Sequence, residues 1–377
     1  MTASSNRGEL DPPEKTALAD ESAAPPEQAA QRHVDDRNVQ DDVRALVDET
    51  ATAEAGDRER AMVSDLLTTA LKLIPDGRDS GELKLITSAV KELRYAYRVF
   101  GQYPDVHKCT IFGSARTPED HPDYKAAVEF SREIAEQGWM VITGAGDGIM
   151  KAGHEGPGAQ KSFGVAIRLP FETSANDVII GDSKLINFRY FFTRKLMFLS
   201  QAEAVVVFPG GFGTLDEIFE ALTLVQTGKA SIIPIVLVEG SHERAGYWHA
   251  MERFIQDELL ERGLISPEDT GLYKIVSTPA EAVDHVTKFY RRYHSSRYVR
   301  DELIIRMKSQ LSEESIEILN QEFASLVKKG KIRHREPHEL ESVALDLPRI
   351  SFVHTRYHYG MVRKLIDRLN ELPGEDD

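Results

Sequence analysis

The chain has 377 residues, 41% of them apolar, enough for one large α/β domain with smaller additions. Its formal net charge of -15 repels a polyanion on average, so nucleic acid is excluded as a default partner while a small anionic ligand is not. The single cysteine, Cys109, excludes an internal disulfide and fits a reducing cytoplasm. The N-terminus lacks the basic and apolar regions of a signal peptide, and no run of about 18 apolar residues is present to span a membrane.

Residues 1–60 hold 15 acidic and 7 basic residues and no aromatic one, too little apolar surface to offset the entropy of ordering. Residues 1–55 are therefore expected to form a disordered acidic tail. A helical extension follows over 56–104. Met62, Leu66, Leu67, Leu71 and Leu73 mark one amphipathic helix, and Leu83, Leu85, Ile86, Val90, Leu93, Tyr97 and Val99 a second, each expected to pack on the core or on another subunit. Strands are expected at 108–113, 139–143, 163–169, 204–208 and 232–238, and helices at 124–136, 188–200, 214–227 and 247–261. Alternation of this kind over 105–293 implies a parallel sheet with helices on both faces, whose ligands bind beyond the carboxyl ends of the strands. Residues 294–377 predict a small α+β appendage, with strands at 303–307 and 349–353 and helices at 313–328 and 360–372. Its His334, His338, His354 and His358 are expected to be surface residues, and no metal site is predicted.

Two glycine turns fall at strand ends. The first, Gly144-Ala145-Gly146-Asp147-Gly148, spaces glycine as GxGxG, and the next strand ends near Arg168 with no acidic residue to hold a ribose diol, so a dinucleotide site is weakly supported. No GxxxxGK[ST] string is present, which excludes a P-loop. The second turn is Pro209-Gly210-Gly211-Phe212-Gly213-Thr214, leaving an apolar strand and opening a helix. Glycine lets backbone approach a ligand and adopt positive φ, and the first amides of a helix have no partner within it. A phosphate is expected over Gly211, Gly213 and Thr214. Thr214 and Glu217 alone also fit a capping box.

The string PGGFGTLDE resembles the PGGxGTxxE motif of the LOG family, the cytokinin riboside 5′-monophosphate phosphoribohydrolases often mislabelled lysine decarboxylases. The Arg194-Lys195 pair in NFRYFFTRK, Gly113-Ser114 after the first strand, and GAGDGIM fit the same pattern. The resemblance covers roughly 106–293. It implies a Rossmann-like domain, a homodimer, no cofactor, and a nucleoside monophosphate such as AMP or an N6-modified AMP as substrate. It implies Arg194 and Glu217 as the catalytic pair. Substrate contacts are implied for Ser114, Gly144, Gly146, Glu172, Lys195, Gly210, Gly211, Gly213, Thr214, Asp216 and Thr223. Plant-type members carry His-Gln where this chain has Phe192-Thr193, and short members lack its terminal extensions.

Cleaving an N-glycosidic bond builds positive charge at C1′ and negative charge on the base. A carboxylate at the position of Glu217 suits stabilisation of the cation or activation of water. Arg194 either neutralises phosphate or donates to the departing base, and Tyr190, one turn before it, either stacks on a base or packs in the core. No lysine stands in a context for pyridoxal phosphate, so amino-acid decarboxylation is discounted. The rival expectation is a nucleotide-binding or cofactor-carrier protein without turnover, since molybdenum-cofactor carriers are folded similarly.

Overall fold

The computed structural model describes residue 34 and residues 37–168, 175–240 and 245–374. It divides into two compact units, Met1–Leu85 and Ile86–Asp377.

In the first unit, α1 (Arg37–Thr50) lies within the segment expected to be a disordered tail. The correction has a simple cause: Val43 and Val47, four apart on one helix face, are buried as α1 packs with α2 (Asp57–Lys72). Residues 1–33 of the expected tail lie outside the described residues. The apolar stripe on α2, expected to pack on the core or on another subunit, buries no residue within this chain, and Met62 is 63% exposed.

α3 (Ser80–Phe100) crosses into the second unit, where Ala96, Val99 and Phe100 are buried. The strands that follow are β1 (Lys108–Phe112), β2 (Met140–Thr143), β3 (Ser162–Ile167), β4 (Leu185–Phe188), β5 (Ala204–Val207), β6 (Ile235–Val238) and β7 (Tyr273–Val276). They form one seven-stranded sheet in the order β4-β3-β2-β1-β5-β6-β7, and every neighbouring pair is parallel. Its helices are α4 (Pro122–Glu136), α5 (Ile149–Glu155), α6 (Phe191–Ser200), α7 (Phe212–Gln226), α8 (Tyr247–Phe254) and α9 (Pro279–Phe289). The expected α/β, Rossmann-like architecture is present. β1, β2, β5 and β6 are buried along their whole length, as strands covered on both faces must be, which is why β5 reads Ala-Val-Val-Val. Phe100 stacks on Phe163 of β3 with ring centroids 4.4 Å apart, fixing α3 to the sheet.

The C-terminal region is a second sheet, antiparallel, in the order β10-β11-β9-β8. Its strands are β8 (Tyr293–Val299), β9 (Glu302–Met307), β10 (Val327–His334) and β11 (Arg349–His354), with α10 (Glu313–Glu322) and α11 (Tyr359–Glu371). The helix expected over 313–328 stops at Glu322, because residues from Val327 pair with β11. His354 is a further correction. It is buried, with Nδ1 2.6 Å from the Tyr298 hydroxyl, while His358 pairs with Glu268 instead of standing unpartnered. Among the described residues no helix is long and apolar enough to cross a membrane, and no group of three or more His, Cys, Asp or Glu is placed to hold a metal.

Candidate active site

Successive strands of the sheet run outward from β1 in one direction up to β4 and from β5 in the other up to β7, so the winding reverses between β1 and β5. At such a reversal the two connecting loops part and leave a crevice beyond the strand ends. The loop after β1, Gly113-Ser114-Ala115-Arg116, and the turn after β5 border a cleft of about 800 Å³ at that place. They are bound together at its base: Phe208 N donates to Phe112 O (2.9 Å) and Ser114 N to Pro209 O (3.1 Å).

α7 opens on this cleft. Its N-cap is Gly211, with φ -91° and ψ -159° and no side-chain cap. The first helical bond runs from Leu215 N to Gly211 O (3.1 Å). The amides of Phe212, Gly213 and Thr214 therefore have no acceptor among the described residues, as the first turn of an uncapped helix requires. The capping-box alternative is overturned. The helix begins two residues before the expected 214, Thr214 sits at its third position, and its side chain packs over Gly210.

Of the two reasons expected for these glycines, positive φ does not apply, which leaves close approach of a ligand. Neither Gly210, Gly211 nor Gly213 has a positive φ. A Cβ added at Gly211 or Gly213 meets nothing within 4 Å among the described residues, so none of these forbids a side chain there. The space over these two residues is open beside three unclaimed amides, the arrangement an oxyanion ligand fills.

One turn along α7, Glu217 lines the cleft although it is only 8% exposed, and its Oε2 is buried without a hydrogen-bond partner. Burial pushes its carboxyl up to about 7, opposed by the positive charges of Lys195 and Arg194 and reinforced by Glu220 and Asp216. Arg194, on α6, lies opposite. Its Nε donates to Val165 O (2.8 Å) and its Nη2 reaches Gly144 O (3.5 Å), while the guanidinium covers the Phe198 ring with its carbon 5.1 Å from the centroid. It is a half-buried group fastened across the ends of β2 and β3.

Residues 144–286 match the family described as "Possible lysine decarboxylase". The Arabidopsis thaliana protein "Cytokinin riboside 5'-monophosphate phosphoribohydrolase LOG7" is 29% identical over 178 residues, 45% of this chain and 75% of its own. The rice protein "Probable cytokinin riboside 5'-monophosphate phosphoribohydrolase LOGL2" (Oryza sativa subsp. japonica) is 25% identical over 169 residues, 44% of this chain and 65% of its own. Over this stretch the α/β domain is similar to the LOG proteins. Among solved structures, the molybdenum cofactor binding protein of Rippkaea orientalis is 18% identical and covers 49% of this chain and 97% of its own at a TM-score of 0.36.

Within the α/β domain the expected site residues separate into two groups. Ser114, Gly144, Arg194, Gly210, Gly211, Gly213, Thr214, Asp216 and Glu217 all line the cleft. Lys195 does not. It ties α6 to α7 through Asp216 (2.6 Å) and Glu220 (2.7 Å). Gly146 supports the cleft from behind, its carbonyl accepting from Asn176 Nδ2 (2.9 Å). Thr223 is exposed further along α7, where its hydroxyl donates to Phe219 O (2.7 Å), outside the cleft lining. Glu172 lies outside the described residues. Tyr190 is half-buried at the start of α6 and stacks on Phe192.

Sequence reasoning missed Arg116, Met150, Ile167, Phe191, Phe198 and Phe212, which also line the cleft. It also missed the support under the first glycine turn. His154, fully buried, sets Nε2 2.9 Å from Thr143 Oγ1 and 3.1 Å from Phe163 O, with Nδ1 against the Asn176 side chain. Burial lowers its pKa, which keeps the ring neutral.

Proposed function

We propose that the protein hydrolyses the N-glycosidic bond of a nucleoside 5′-monophosphate of AMP type, releasing the free base and ribose 5-phosphate. The observation that carries this reading is one juxtaposition: an unfilled glycine cradle with three unclaimed amides, one helical turn from a buried, unpartnered carboxylate. In this reading the 5′-phosphate lies over Gly211, Gly213 and Thr214, and the chain of sugar atoms leads C1′ toward Glu217. The ionised carboxylate takes a proton from water as the water oxygen bonds to C1′ and the C1′–N bond breaks, with the electron pair leaving on the base. Desolvation keeps Glu217 basic enough to accept that proton near neutrality. Arg194, held by two backbone carbonyls, is positioned without reorganisation at the moment of charge separation. The activity for which the plant relatives are named supports the reaction class. The exposed Phe191, Phe192, Leu196 and Phe219 on α6 and α7 support pairing with a second copy of the chain.

The test is incubation with AMP, GMP and CMP, followed by chromatography for free base and ribose 5-phosphate. Stoichiometric release of both products from AMP is expected. Saturable binding of every nucleotide with no release of base would overturn the hydrolase and leave a carrier on the same scaffold.

A further inference from the structure

We propose that Arg116 is the cation that grips the 5′-phosphate, and so makes the site select phosphorylated over unphosphorylated nucleosides. The inference rests on the hydrolase reading of the cleft but concerns a residue outside the motif that suggested it.

Three cationic side chains stand near the opening of α7. Lys195 is spent on Asp216 and Glu220, and does not line the cleft. Arg194 lines it, but its guanidinium is fastened to Val165 O and Gly144 O and lies over Phe198. Arg116 lines the cleft, is exposed, and makes no ion pair or side-chain hydrogen bond among the described residues.

A phosphate dianion in the cradle needs such a group. The three amides donate hydrogen bonds but carry no net charge, and the carboxylates of Asp216 and Glu217 line the same cleft. The chain as a whole carries -15. The charge of Arg194 offsets only part of this, so without a second cation the phosphate would meet a net negative potential. Arginine suits the task because its planar fork can engage two phosphate oxygens at once.

The backbone under Arg116 is fixed although its side chain is not. Its amide donates to Ser114 Oγ (3.0 Å), the Ser114 amide donates to Pro209 O (3.1 Å), and the Ser114 carbonyl accepts from Ile149 N (3.0 Å). The loop that bears the arginine is thereby tied to the turn that bears the cradle. Ordering one side chain is then the main entropic cost of closing on the anion.

The experiment compares wild type with Arg116→Ala and Arg116→Lys. Calorimetry measures ribose 5-phosphate and inorganic phosphate binding, and steady-state kinetics measures AMP and adenosine. Arg116→Ala is expected to weaken ribose 5-phosphate binding and raise KM for AMP by about 10- to 100-fold, with kcat within about threefold of wild type. Arg116→Lys is expected to recover part of the loss, and residual turnover of adenosine should be unchanged. Added salt should narrow the gap between wild type and the alanine variant. Unchanged ribose 5-phosphate affinity in Arg116→Ala overturns the proposal, even where wild type hydrolyses AMP normally. If wild type releases no base but its phosphate binding falls in Arg116→Ala, the hydrolase reading fails and the role of Arg116 as the phosphate cation stands. If wild type binds neither ligand, both fall.

Discussion

The turn after β2 and the turn after β5 are both rich in glycine and both reach the cleft, but they spend their backbone groups differently. In the first, the protein engages the Ala145 amide and the carbonyls of Ala145 and Gly146. Ala145 N donates to Thr143 Oγ1 (3.1 Å), Asn176 N to Ala145 O (2.8 Å), and Asn176 Nδ2 to Gly146 O (2.9 Å). Gly148 has φ +59°, and a Cβ there would collide with the Ser114 carbonyl oxygen. In the second, Gly211 and Gly213 have neither positive φ nor a crowded Cβ direction, and the amides of the first helical turn remain unclaimed. The first turn needs glycine for the chain. The second leaves room for something the chain does not contain. A glycine-rich string by itself does not distinguish these cases; the backbone angle and the space over its α-carbons do.

The largest effect should come from the group that faces the second turn. Glu217→Gln removes the base and the negative charge while keeping shape, and release of adenine from AMP should fall by about 1,000-fold or more. Binding of ribose 5-phosphate should persist. In the wild type, kcat/KM should rise with pH through about 7, because Glu217 is protonated below that value and cannot accept a proton from water. A flat profile from pH 5 to 9, or near-normal turnover by the glutamine variant, would remove Glu217 from the mechanism.

The comparison of turns is tested more directly by placing a methyl group on each. Gly148→Ala forces a left-handed backbone on a Cβ that meets a carbonyl, and should cost about 2 kcal/mol or more of stability in a denaturant melt. Gly211→Ala meets no protein atom, and its stability should stay within about 0.5 kcal/mol of wild type. Its methyl group occupies the phosphate's place, however, and KM for AMP should rise about tenfold. If Gly211→Ala unfolds as readily as Gly148→Ala, or binds AMP normally, the two turns are not different in kind.

Much of the fold was legible because its signals are local. The Val-Val-Val run of β5 announces a strand covered on both faces, and PGGFGTLDE marks a turn that opens a helix. The errors lie where distant chain segments decide. β10 contains Lys328, Lys329 and Lys331, reads like the end of a polar helix, and becomes an edge strand only through pairing with β11. His354 looks like a surface residue but ends β11 beneath Tyr298 and Tyr359. Arg116 carries no motif of its own. It matters because β1 lies beside β5, with Cys109 opposite Ala204, and the register between such distant residues is not written in either segment. His154 and Asn176 meet only once α5 has packed beside β2.

A last prediction reads the same carboxylate by stability. Burial raises the Glu217 pKa from 4.5 to about 7, so the folded state holds a proton that the unfolded state gives up. Below about pH 4.5 the group is protonated in both states and contributes no difference. As pH rises toward 7 the unfolded chain ionises first, and the wild type loses stability over that window. Above 7 the full cost of a buried charge remains, on the order of 3 kcal/mol. Glu217→Gln is free of it, so its Tm should exceed that of wild type by roughly 5 °C at pH 8. The difference should shrink toward zero at pH 4.5. The enzyme would then be least stable where it is most active, because the charge that serves the reaction is the one the fold holds at a cost. Equal melting temperatures at pH 8 would show that the Glu217 carboxylate is solvated or paired in solution. The contrast between the two turns would then lose its chemical consequence.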